Sequence, residues 1–114
     1  MNKELQNRIY DAARRAFFEA VFEKDYVRFE AHLFGEDISF EVYADDFDDI
    51  FSEVKSNYEF FDVEEHAVML WKTYRKSEAP KDLMTSLNDA QAIKMMYGNL
   101  CLHLNDLKKE LEEE

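Results

Sequence analysis

With glycine at only two positions, 35 and 98, and a single proline at 80, this chain has few places to turn sharply. Glycine supplies positive φ and proline interrupts helices, so long stretches without either favour helices joined by few tight loops. The same scarcity excludes glycine-dependent phosphate cradles. Neither a P-loop nor a dinucleotide fingerprint can be written with Gly35 and Gly98 alone. The 114 residues suffice for one core, so the expectation is a single domain over 1–114. With 46% hydrophobic and 15% aromatic residues, the chain is also unlike a disordered acidic tail.

Periodicity then divides the chain. Residues 3–24 read as a helix, with Leu5, Ile9, Ala12, Ala16 and Ala20 flanked by Ala13, Phe17 and Val21. Residues 26–44 change to period two. Val27, Phe29, Ala31 and Leu33 alternate with Arg28, Glu30 and His32, and Ile38, Phe40, Val42 and Ala44 alternate with Ser39, Glu41 and Tyr43. That pattern predicts an antiparallel hairpin. A Gly35-Glu36 loop of type II′ would set Leu33 against Ile38, Ala31 against Phe40 and Phe29 against Val42. It would also put Glu30 opposite Glu41, a like-charge pair that folding alone disfavours.

Residues 46–56 predict a short acidic helix on Phe47, Ile50, Phe51 and Val54, capped by Asp45 and ended at Asn57. Tyr58 to Phe61 reads as a connection or a third strand. Residues 63–76 predict a helix capped by Asp62, with Glu65 at the reciprocal position and Lys72, Arg75 and Lys76 in its last turns. Ser77 to Thr85, around Pro80, reads as the main linker. A long final helix over 87–112 follows, with Ser86 as its cap. There Ala90, Ile93, Tyr97, Leu100, Leu104, Leu107 and Leu111 step alternately by three and four, a heptad seam roughly 39 Å long at about 1.5 Å per residue. The fold class expected is therefore α+β: N-terminal helix, two-stranded hairpin, short acidic helix, then two C-terminal helices. The seam should pack on helix 3–24 or 63–76, and Leu100, Leu104, Leu107 and Leu111 also offer a surface for self-association into a homodimer.

Charge carries the functional signal. Between 36 and 65 twelve acids face one base, Lys55, a net of −11 out of −12 for the whole chain. One strongly negative face repels nucleic acid directly and attracts proteins built to hold it. Carboxylates three or four residues apart on a helix lie about 6 Å apart, comparable to successive phosphates on one strand. Asp45, Asp46, Asp48, Asp49 and Glu53 can form such a row, extended by Glu30, Glu36, Asp37 and Glu41, with Tyr43 as a packing anchor. A basic groove evolved for phosphates would accept it with counterion release.

Other chemistries find little support. Asp45-Asp46-Phe47-Asp48-Asp49 lacks the alternation and glycine of a calcium loop, and His32, His66 and His103 show no zinc-binding spacing. Cys101, the single cysteine, sits beside the seam and fits a reducing compartment. No serine lies in a nucleophile-elbow sequence. The expectation is a non-enzymatic protein with no cofactor and no metal. No signal-peptide core or membrane-length apolar run is seen, which points to the cytoplasm.

The order helix, hairpin, acid-rich connection and C-terminal helices, with the charge concentrated in residues 36–65, resembles the small acidic anti-CRISPR proteins of phages and mobile elements. It is similar in plan to inhibitors of Cas9-type effectors that occupy the PAM-reading site as DNA mimics. Acidic immunity proteins against nuclease toxins form a second similar class. The resemblance implies an inhibitor that docks its acid into the basic nucleic-acid-binding site of a partner nuclease.

Overall fold

The computed structural model describes all residues except 34 and 75–80. Its architecture is α+β. Helix α1 (Lys3–Arg15) leads into a sheet of β1 (Glu19–Phe22), β2 (Val27–Leu33) and β3 (Glu36–Val42), followed by α2 (Phe47–Glu59), α3 (Val63–Tyr74) and α4 (Leu83–Glu112). The sheet is antiparallel throughout, in the order β1-β2-β3.

The helix expected over 3–24 stops at Arg15, and its last third becomes a strand. The Phe18 amide donates to the Ala13 carbonyl at 2.9 Å and the Phe17 amide to that of Arg14 at 3.0 Å, while Phe17 takes φ 65°. These two bonds around a left-handed residue form a Schellman ending, usually built on glycine. Beyond it Ala20 pairs with Phe29 and Phe22 with Val27, which adds the third strand. No strand forms at 58–61: Tyr58 and Glu59 complete α2, and Phe60 is its C-cap.

The hairpin exists, but its register differs by two residues from the expected one. Leu33 pairs with Glu36, Ala31 with Ile38, Phe29 with Phe40 and Val27 with Val42. The expected Gly35-Glu36 loop does not form, because Glu36 is already paired in β3, and Gly35 takes φ 77°. A two-residue slip keeps every side chain on its face, so alternation alone does not decide it. Glu30 now faces Ser39, and Arg28 rather than Glu30 faces Glu41. The like-charge pair moves to the other side of β2, where Glu19 faces Glu30. Arg28 relieves it through an ion pair to Glu30.

Helix caps also differ from expectation. Asp46, not Asp45, caps α2 and accepts from the Asp49 amide at 2.8 Å. Asn57 lies inside α2 and donates to the Glu53 carbonyl. Asp62 accepts from the Glu65 amide at 3.0 Å, as expected for α3. Arg75 and Lys76, expected at its end, and linker residues 77–80 lie outside the described residues. Helix α4 starts four residues early, capped by Asp82 through the Thr85 amide at 2.7 Å. Ser86, expected as the cap, is wholly buried within the helix.

Helices α1, α2 and α3 all pack on α4. Its seam residues Ala90, Ile93, Tyr97, Leu100, Leu104 and Leu107 are buried in the chain's own core, with Leu111 partly covered at the end. The inner face of the sheet closes over this layer through an aromatic cluster. Phe40 meets Phe18, Phe29 and Tyr97 at ring-centre distances of 6.1, 5.4 and 5.0 Å, and Phe61 meets Tyr97 at 5.2 Å. The long axis of the molecule is 50 Å, close to the roughly 45 Å expected of a thirty-residue helix.

Candidate partner-binding face

The sheet leaves one face uncovered. Alternation sends Phe29, Ile38 and Val42 into the core and turns Arg28, Glu30, His32, Asp37, Ser39 and Glu41 outward. With Glu19 at the β1 end of the row through Glu30 and Ser39, this outer face carries four carboxylates against Arg28. Asp37 is almost fully exposed, and its Oδ1 lies 2.8 Å from Nδ1 of His32. Glu41 accepts at 2.5 Å from the Tyr43 hydroxyl. That bond, more than any burial, raises the Tyr43 pKa. The Tyr43 ring is 61% exposed and leans on Tyr26 at 5.2 Å, so it stands as a supported aromatic beside the acid.

Helix α2 continues the negative surface. Asp45, Asp46, Asp48, Asp49 and Glu53 are all exposed. At about 100° per residue they divide into two flanks. Asp46, Asp49 and Glu53 follow one line with Asn57. Asp48 lies on the other flank, and with Asp46 borders a depression near Lys108, Leu111 and Glu112 at the end of α4. On the first flank, Glu53 borders a depression of about 560 Å³ together with Ser56, Asn57, Phe60, Phe61 and Tyr97. Because Tyr97 also packs against Phe40 of β3, this depression adjoins the strand on the α2 side. Phe60 stands over it with 82% of its surface in solvent.

One expected member departs from the group. Glu36 is only partly exposed at the hairpin end, and desolvation raises its carboxyl pKa against the lowering influence of His66 and Lys81. Its charge is felt by groups beneath the sheet, including Asp89 and Tyr97, rather than on the outer face. Nearby, the Tyr74 hydroxyl donates to the Gly35 carbonyl at 3.4 Å and Lys81 pairs with Asp89 at 2.8 Å. Glu30 stays on the face, but its charge is shared with Arg28. Sequence reasoning missed Glu19, which was assigned to a helix, and Phe60. Burial over Glu19 to Phe22 does not alternate cleanly, so no period-two signal marked this strand.

A second groove, about 500 Å³, runs between α2 and α4 and is lined by Phe51, Tyr58, Met95, Cys101 and Leu102 among others. Burial pushes the Cys101 thiol up to about 11, so it is a poor nucleophile. Among the described residues no three His, Cys, Asp or Glu side chains converge as a metal ion would require. No helix among them is long and apolar enough to cross a membrane. No family model matches the chain, and neither a curated protein nor a solved structure does.

Proposed function

We propose that this protein is a non-enzymatic inhibitor that presents its acidic face to the basic nucleic-acid-binding site of a partner nuclease, in the manner of an anti-CRISPR protein or a nuclease immunity protein. The observation that supports this reading is the exposed acid itself. Among the described residues, Glu41 on β3 and Asp49 and Glu53 on α2 reach solvent without a basic side chain bonded to them, and Asp37 reaches it with only the His32 ring alongside. Asp37 and Glu41 are four residues apart on one strand, about 13 Å, roughly two phosphate steps. Asp49 and Glu53 are one helical turn apart, about one such step. Tyr43 and Phe60 supply apolar area beside the charge, as the buried centre of an interface needs. Leu100, Leu104 and Leu107 of the α4 seam are already inside the core and Leu111 is partly covered, which favours this reading over assembly through that helix.

The test is a competition. A Cas9-type nuclease with its guide is offered labelled target DNA in the presence of the protein, at low and high salt. Inhibition of DNA binding that weakens steeply with salt supports the reading. A variant with Asp37→Asn, Glu41→Gln, Asp49→Asn and Glu53→Gln should lose at least tenfold in potency. The same assay on colicin-like nucleases covers the immunity alternative. Unchanged potency of the neutralised variant against every nuclease that the unmutated protein inhibits would rule out phosphate mimicry.

A further inference from the structure

The register of the sheet fixes which backbone groups of β3 are unused. As the pair that ends the β2–β3 ladder at the turn, Leu33 and Glu36 are hydrogen-bonded, and bonded pairs alternate with non-bonded ones along an antiparallel ladder. Ile38, Phe40 and Val42 therefore turn their N–H and C=O groups toward β2. Asp37, Ser39 and Glu41 turn theirs away from it. The opposite side of β2 gives the same phase. The Glu23 amide donates to the Tyr26 carbonyl at 2.9 Å, so Arg28 and Glu30 bond to β1, which leaves Val27, Phe29 and Ala31 for β3. Strand β3 is an edge of the sheet, and among the described residues nothing donates to or accepts from the outward groups of Asp37, Ser39 and Glu41.

An open edge of this length invites another strand, and folded proteins protect such edges with charge. The charge on β3 is selective. An antiparallel copy of β3 centred on Ser39 would set Asp37 opposite Glu41 twice, and a parallel copy in register would set each acid beside itself. Both place like charges face to face. A strand with basic residues at those positions would meet opposite charges instead.

We propose that the outer edge of β3 is a docking site for an extended basic segment of a protein partner, which adds a fourth strand to the sheet. The segment carries Lys or Arg opposite Asp37 and Glu41 and a small polar residue opposite Ser39. Its alternate side chains turn to the other face, beside the depression bordered by Tyr97 and the exposed Phe60. Backbone bonds supply the binding, and the side-chain pattern supplies the choice of partner. The groups around the edge are compatible with this. His32 engages one oxygen of Asp37, Tyr43 one oxygen of Glu41, and Arg28 is drawn to Glu30. The proposal goes beyond the inhibitor reading and does not depend on the partner's binding nucleic acid.

The experiment uses the full chain and a blocked seven-residue peptide of alternating pattern, with valine at odd positions, lysine at the second and sixth and threonine at the fourth. A peptide of the same composition with its lysines adjacent is the control. Amide exchange is followed by NMR at low salt. At saturation with the alternating peptide, the amides of Asp37, Ser39 and Glu41 should exchange at least tenfold more slowly, with no such effect from the control. Ser39→Pro removes the central outward donor while sparing the ladder to β2 and the net charge. It should weaken peptide binding at least tenfold without altering binding that depends on the α2 acids. Equal binding of the two peptides, absence of protection at those three amides, or the same protection produced by single-stranded DNA would overturn the proposal. If Ser39→Pro lowers stability, the exchange comparison in the unmutated chain decides.

Discussion

Phe18 and Ala13 are joined by a 2.9 Å backbone hydrogen bond that spans a phenylalanine in the left-handed conformation. Both joined residues are buried, while Phe17 between them is 81% exposed. The bond satisfies a carbonyl at the end of α1 and redirects the chain into β1. A side chain at positive φ costs about 1 kcal/mol, and glycine avoids that penalty at the expense of a more flexible unfolded chain. Phe17→Gly should therefore stabilise the protein by up to about 1 kcal/mol, read as a higher denaturation midpoint with an unchanged slope. A destabilised variant would mean that the exposed ring contributes more than its backbone costs.

Leu104, on the seam of α4, is wholly buried in the core. Leu104→Ala should cost about 2–5 kcal/mol through lost burial and a residual cavity. Leu104→Lys should abolish the cooperative thermal transition, because an unpaired ammonium would have to enter the core. Circular dichroism of both variants checks this. A folded Leu104→Lys protein would place the residue at a surface.

The Cys101 thiol titrates near 11, held there mainly by burial and then by the charge of Glu59. At pH 8 it should react with an aromatic disulfide reagent about tenfold more slowly than a free thiol, since its scarcer thiolate is only partly offset by greater nucleophilicity. The rate should still climb as pH rises past 9, where a free thiol is already levelling off. Stopped-flow labelling of the native protein, with the unfolded chain as reference, measures it.

Glu36 has a folded-state pKa above its usual value because its carboxyl is partly desolvated. A raised pKa means that the folded state holds the proton more tightly than the unfolded state. Its favourable contribution is complete below the unfolded pKa and is lost as pH rises through the folded one. At pH 7 the charged form therefore opposes folding. Glu36→Gln should raise stability at neutral pH, by less than about 1 kcal/mol given the screening of a half-exposed group. The advantage over the unmutated chain should shrink toward pH 4. Urea midpoints across that range give the answer.

The heptad seam was the most legible part of the fold, since from Ala90 to Leu107 it marks residues that are buried. The faces of the hairpin were equally clear, because alternation states which side chains share a side. Register was not, because a shift of two residues moves no side chain to the other face. The end of α1 was hidden because apolar spacing runs on through Ala16, Ala20 and Val21, and the residue at the turn is Phe17 rather than a glycine. That hidden strand also concealed the surroundings of Glu30, which depend on Glu19 across the ladder. Total charge could be read directly, whereas the position of Glu36 above His66 and Asp89 is a tertiary fact no local pattern encodes.

Helices α1, α2 and α3 each find their main helical partner in α4, which follows all three along the chain. During synthesis the first three helices leave the ribosome before the helix on which all three pack, with only the sheet to cover part of α1 and α2. The nascent chain must stay open, and within reach of chaperones and proteases, until α4 emerges. Chains broken off before α4 should then be removed rather than persist as partly folded acid. Only copies synthesised through α4 would carry the negative surface in a stable form.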